Sequence, residues 1–84
     1  MKKIAVHLAE GFEEIEAVSI IDVLRRAELD VISVSVTGNF LVTGSHGIKF
    51  MADQLFDSVD YDSVEMIILP GGIPGAINLK NHSE

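Results

Sequence analysis

Residues 67–76, Ile-Ile-Leu-Pro-Gly-Gly-Ile-Pro-Gly-Ala, run from a strand-like apolar segment into a proline, two adjacent glycines and the start of a helix. Glycines at the carboxyl end of a strand leave backbone N–H groups uncovered, at the place where open α/β sheets put their ligand sites. Gly71 and Gly72 therefore offer a cradle for an anion or an oxyanion. Pro70 and Pro74 stiffen the loop and hold those donors on target at lower entropic cost, although a plain strand-to-helix turn would also use a glycine pair. Residues 9–16, Ala-Glu-Gly-Phe-Glu-Glu-Ile-Glu, follow the first apolar run, turn at Gly11 and supply carboxylates. Two strand tips facing one crevice, one with N–H donors and one with acids, suit acid-assisted chemistry on a polarised oxygen.

Glu16 lies one turn past the first strand tip among Phe12, Ile15 and Ala17. If it points back into the crevice, partial desolvation favours its protonated form and lets it act as a donor or acid near neutrality. The plainer reading is a solvated first-turn acid that complements the helix dipole, and Glu13 and Glu14 are expected to be that. Glu10, Glu13, Glu14 and Glu16 form an acidic cluster, but no second acidic strand tip answers it, and Ca²⁺ or Mg²⁺ needs several converging oxygens. His7, His46 and His82 have no metal-ligand spacing, so His7 is expected as a strand residue and His46 as a loop residue. No metal and no cofactor are expected. After the first strand there is neither a dinucleotide fingerprint nor a P-loop, and the aspartate of a receiver-type phosphoacceptor is missing.

The elements that must position these groups follow from periodicity. Residues 2–8 read as a strand buried on both faces, and 13–27 as a helix in which Ile15, Val18, Ile20 or Ile21, Leu24 and Ala27 recur at helical spacing, with acids in its first turn and Arg25 and Arg26 in its last. Residues 31–36 alternate Val or Ile with Ser and make a second strand, completing a βαβ unit. Residues 41–43 and 48–50 flank Gly44-Ser45-His46-Gly47 as a small hairpin. A helical turn is expected over 53–59, with Asp53 as N-cap and Leu55, Phe56 and Val59 facing inward. Residues 64–69 form a third buried strand and 75–79 begin a second helix.

Eighty-four residues allow one small domain, burying little more than about 60% of its unfolded surface. No apolar stretch reaches the roughly 18 residues of a membrane span, and the first residues lack a signal-peptide cleavage site, so a cytoplasmic protein is expected. A net charge of −7 with only six basic residues argues against nucleic acid and anionic membranes as partners. There is no cysteine, hence no disulfide, thiolate metal site or thiol nucleophile. Three strands and one full helix leave a sheet face and a strand edge uncovered, so the chain reads as the N-terminal half of a domain.

Taken together, K-I-A-V-H-L-A-E-G-F-E-E-I-E-A-V at 3–18, D-V-L-R-R-A at 22–27, S-H-G-I-K-F-M-A-D at 45–53 and I-L-P-G-G-I-P-G-A at 68–76 resemble the ThiJ/PfpI superfamily, in its DJ-one-like branch. The resemblance implies a flavodoxin-like, three-layer α/β sandwich with a mostly parallel sheet, of which this chain holds only the N-terminal half. It implies a homodimer of the complete domain and a nucleophilic cysteine on an elbow after a later strand. Glu16 would hydrogen-bond the sulfur as proton donor, and the Gly72 N–H would serve an oxyanion pocket, with Gly71, Gly11 and His46 along the substrate pocket. Close relatives often carry arginine where His46 stands, which weakens any anion contact there. The activities implied are glyoxalase or deglycase chemistry on small reactive carbonyls, with redox-responsive, chaperone-like stress protection or a thiamine-related role as alternatives. The cysteine would lie downstream of Glu84, and the remaining half of the domain would be the chain's first partner.

Overall fold

A computed structural model describes residues 3–71. The expected helix start at 75–79 lies outside them, as does Gly72. Strand β1 (Lys3–Leu8) is buried along nearly its whole length, which is why it reads as a continuous apolar run. Helix α1 (Glu14–Arg26) follows, capped by Glu13, whose carboxylate accepts the Ile15 N–H at 2.9 Å. The helix closes with the Leu29 N–H on the Leu24 carbonyl and the Glu28 N–H on that of Arg25. This closure puts Glu28 at φ 65°, a left-handed position that usually takes glycine and costs another residue about 1–2 kcal/mol.

Strand β2 (Val31–Ser35) returns parallel to β1, with Ile4 opposite Val31 and Leu8 opposite Ser35. Strands β3 (Leu41–Thr43) and β4 (Lys49–Met51) form a separate antiparallel hairpin. Residues 53–59 differ from expectation. Strand β5 (Gln54–Leu55) pairs parallel to β2, and only then does a single 3-10 turn, Phe56–Ser58, follow. Asp53 does not cap it. Its Oδ2 accepts the Ser33 N–H at 2.9 Å and the Arg25 guanidinium at 2.7 Å, while Arg25 also donates to the Val31 carbonyl, tying the end of α1 to β2 and β5. A second 3-10 turn (Tyr61–Ser63) leads into β6 (Val64–Ile68), parallel to β1 on its other side.

The main sheet therefore has the order β5-β2-β1-β6, all parallel, with the flavodoxin-like 2-1-3 arrangement at its centre. Side chains alternate across it. Ile4, Val6, Leu8 and Val31 face α1 and join Phe12, Ala17, Ile21 and Val42 in one core. Ala5, Ile32 and Val34 face the other way, under Phe56, Val59 and Val64. His7 is buried on β1, as a strand histidine, with its Nε2 2.8 Å from the Tyr61 hydroxyl.

Strand β6 is not the buried strand its composition suggests. It is an outer strand among the described residues, and Met66, Ile67 and, just past it, Leu69 are 52%, 49% and 59% exposed. Beside it an apolar groove of about 370 Å³ opens between Ile20, Val23 and Leu24 of α1 and Ile68. Met66 and Ile67 point to opposite faces, so among the described residues the strand is exposed on both faces as well as along its outer edge.

Candidate functional site

Strand order reverses at β1. The chain passes from β1 to β2 on one side and later places β6 on the other, so the carboxyl ends of β1 and β6 mark a topological switch point, where open α/β sheets put their ligand sites. The β1–α1 loop and the tip of β6 meet there through Gly71. Its carbonyl accepts the Glu13 N–H at 2.7 Å, and its own N–H donates to Glu16 Oε1 at 2.7 Å. A Cβ on Gly71 would stand 3.0 Å from Glu16 Oε2, so glycine is what lets the carboxylate come this close. Pro70 before it is fully buried, which fixes the tip. Gly11, at φ 85°, turns the loop, and its N–H donates to the Thr43 carbonyl at 2.8 Å.

Glu16 and Gly71, singled out from sequence on two separate segments, are thus in direct contact. The contact also changes the part Gly71 can play. Its N–H is engaged by Glu16 and so is not open to an anion. Glu16 itself is exposed.

Glu14 corrects the expectation of a solvated first-turn acid. It is 4% exposed and points away from solvent into the β3–β4 turn. Its carboxylate accepts the His46 N–H at 2.7 Å, the Ile48 N–H at 3.2 Å and the Ser45 hydroxyl at 3.3 Å, and lies 3.0 Å from His46 Nδ1. Burial pushes this carboxyl up, but the bonds from the His46 side chain and from the backbone N–H groups of Glu14, His46 and Ile48 together outweigh it and bring it down to about 2. His46 is raised above its ordinary value first by the hydrogen bond that it donates to Glu14, then by the charges of Glu14 and Glu13. Gly44 makes room for this arrangement, since a Cβ there would overlap the Glu14 carboxyl. From sequence the only trace of the clamp is a second glycine-rich turn, Gly44 to Gly47, with nothing to say which acid it receives.

The four acids of the expected cluster diverge. Glu10 accepts the Thr43 N–H at 3.3 Å, Glu13 caps α1, Glu14 holds the hairpin turn and Glu16 holds Gly71. Glu13, Glu14 and His46 do bring one ligand atom each within 4.8 Å of one another. Both Glu14 oxygens are already accepting hydrogen bonds there, so the trio is built as a clamp. His46 meets Glu14 and Glu13 at the hairpin tip and is engaged by them.

The clamp has a pH window. A depressed carboxyl stabilises the fold above its unfolded value of 4.5 and loses that contribution as pH falls towards about 2. A raised histidine contributes fully below 6.5 and loses its contribution as pH rises through the folded value. Protection of the His46 and Ile48 amides against hydrogen exchange, corrected for intrinsic rates, should therefore be greatest between about pH 4.5 and 6.5. His46→Gln should flatten the alkaline limb; a profile that keeps that limb without the imidazole would mean that another group titrates.

Comparison with known proteins gives a consistent outcome. The model of the DJ-1/PfpI family matches residues 2–84. Protein DJ-1 homolog B of Arabidopsis thaliana is 45% identical over 80 residues, 95% of this chain and 18% of that protein. The structure of oxidized Toxoplasma gondii DJ-1 superposes with a TM-score of 0.92 at 41% identity, covering 99% of this chain and 45% of that one. A cysteine-to-alanine mutant of a DJ-1 superfamily protein from Salmonella typhimurium superposes with a TM-score of 0.83 at 38% identity, covering 94% of this chain and 43% of that one. The chain spans less than half the length of each of these three proteins. A parallel sheet whose order reverses beside a glycine tip, and a sequence that aligns from end to end, place the chain in one lineage: it belongs to the DJ-1/PfpI family.

Proposed function

We propose that these residues are the N-terminal half of a single α/β domain that acts on small reactive carbonyls through a cysteine supplied by the other half. The observation that carries this reading is the Glu16–Gly71 contact at the switch point, which sets an acid at the strand tip that leads into Gly72. The thiolate would add to the aldehyde carbon of a dicarbonyl, forming a C–S bond while the carbonyl electron pair moves to oxygen. The Gly72 N–H would stabilise that oxygen and Glu16 would give it a proton. Conversion of methylglyoxal to lactate by this route consumes one water and needs no oxidant, metal or cofactor. The exposed apolar residues of β6 and the groove beside it support a missing half seated there. The complete domain is proposed to work as a homodimer.

A second reading has its own support. One matched structure is of an oxidized protein, which suits a cysteine that senses redox state and regulates protection of other proteins. Methylglyoxal turnover by the complete protein, beside its cysteine-to-serine variant, separates the two. Turnover that disappears with the thiol is expected. No turnover, or turnover indifferent to the thiol, defeats the enzymatic reading and leaves the redox one.

A further inference from the structure

We infer that Glu14 is a positioning residue for Glu16: by fastening the β3–β4 turn to the start of α1, it holds the helix where Glu16 meets the Gly71 amide. Its consequence for chemistry rests on the function proposed above; its structural part does not.

Residues two apart on a helix stand about 200° apart around its axis, so Glu14 and Glu16 leave the first turn of α1 on opposite sides. On one side Glu14 is buried and bonded to Ser45, His46 and Ile48. On the other, Glu16 and the Glu13 N–H are bonded to Gly71. The first turn is therefore strung between two loops. The hairpin side is the more heavily tied, because the Gly11 N–H also donates to Thr43, the Ser45 N–H to Phe12 and the Thr43 N–H to Glu10. The outer side chains of this turn and the next, Ile15 and Val18, are 77% and 47% exposed and add little to hold it. Glu16 is exposed too, so its own contacts do not lock its position. A hydrogen bond of 2.7 Å tolerates only a few tenths of an ångström of drift before it weakens, and misplacing a catalytic group by about 1 Å can cost about a hundredfold in rate.

The test uses the complete protein and two readouts. Exchange of the Gly71 amide reports the Glu16 bond directly, and the pH midpoint of cysteine alkylation by iodoacetamide reports the acid's influence on sulfur. E14A should speed Gly71 exchange about tenfold and move the alkylation midpoint in the direction that E16Q moves it. The alkylation shift should not recur when E14A is added to E16Q, nor the faster Gly71 exchange when it is added to E16A, which removes the tether, because the residue acts through Glu16. A purely structural role would lower the melting temperature and leave both readouts where they were, or shift them equally in either background. E14Q keeps the volume and one acceptor oxygen while losing the charge, and the same cycle with it decides the matter if E14A does not fold. Gly71 exchange unmoved by either variant overturns the inference. Gly71 exchange that responds, in a protein whose cysteine ignores E16Q, upholds the positioning role and overturns the proposed chemistry instead.

Discussion

Glu16→Gln in the complete protein should lower kcat/KM for methylglyoxal by about 10²–10⁴-fold, the usual worth of a positioned proton donor or acceptor. The substitution is nearly isosteric. The glutamine carbonyl can still accept the Gly71 N–H, now 2.7 Å from Glu16 Oε1, so the strand tip should stay in place and the melting temperature should change little. What is lost is the ability to ionise, and with it the proton offered to a developing oxyanion. Glu16→Ala removes the tether as well and should loosen Gly71 in addition to slowing turnover. A glutamine variant within about twofold of the parent would reduce Glu16 to a tether for the β6 tip. Residues 1–84 alone should show no thiol-dependent turnover in the same assay, because they contain no cysteine.

The parts of the fold that were legible in sequence are those whose pattern is local. β1, α1 and β2 declare themselves by a continuous apolar run, a helical stripe with acids at one end and arginines at the other, and alternation of Val and Ile with Ser. Gly71 and Glu16 were legible as separate signals, and the switch point of a parallel sheet is what brings them together. The misreadings all depend on partners far along the chain. Asp53 has the look of a helix cap, but Arg25, 28 residues earlier, and the Ser33 amide claim its carboxylate and draw the next two residues into a strand. Glu14 sits among acids that suit a helix dipole, and only a turn 31 residues later, kept open by Gly44, gives it a buried seat. β6 has the composition of a buried strand, but burial depends on which neighbours pack on it, and the described residues supply none along its outer edge.

Phe12→Ala should destabilise the complete protein by about 3–5 kcal/mol, measured as a drop in denaturation midpoint at unchanged slope. Phe12 is a fully buried large side chain, yet it belongs to the β1–α1 loop rather than to a strand or helix. Its ring packs in the core with Leu8, Ala17 and Val42 and meets Phe50 edge-on, at 6.3 Å between centroids and 83° between planes. Its backbone works in the same direction, with its N–H donating to the Ala9 carbonyl and its own carbonyl accepting the Ser45 N–H. Truncation would open a cavity between the loop that leads through Glu13 into the first turn of α1, where Glu16 stands, and the hairpin that carries His46, so stability and site geometry should fail together. Phe12→Leu keeps most of the apolar volume but loses the edge-on ring contact, and should cost less than about 2 kcal/mol. That ordering separates packing from hydrogen bonding, because both variants leave the Ala9 and Ser45 backbone bonds chemically available. If alanine cost less than about 1 kcal/mol, the loop would have to be held by those bonds and by the Glu14 clamp, and the ring would be a filler of space already secured.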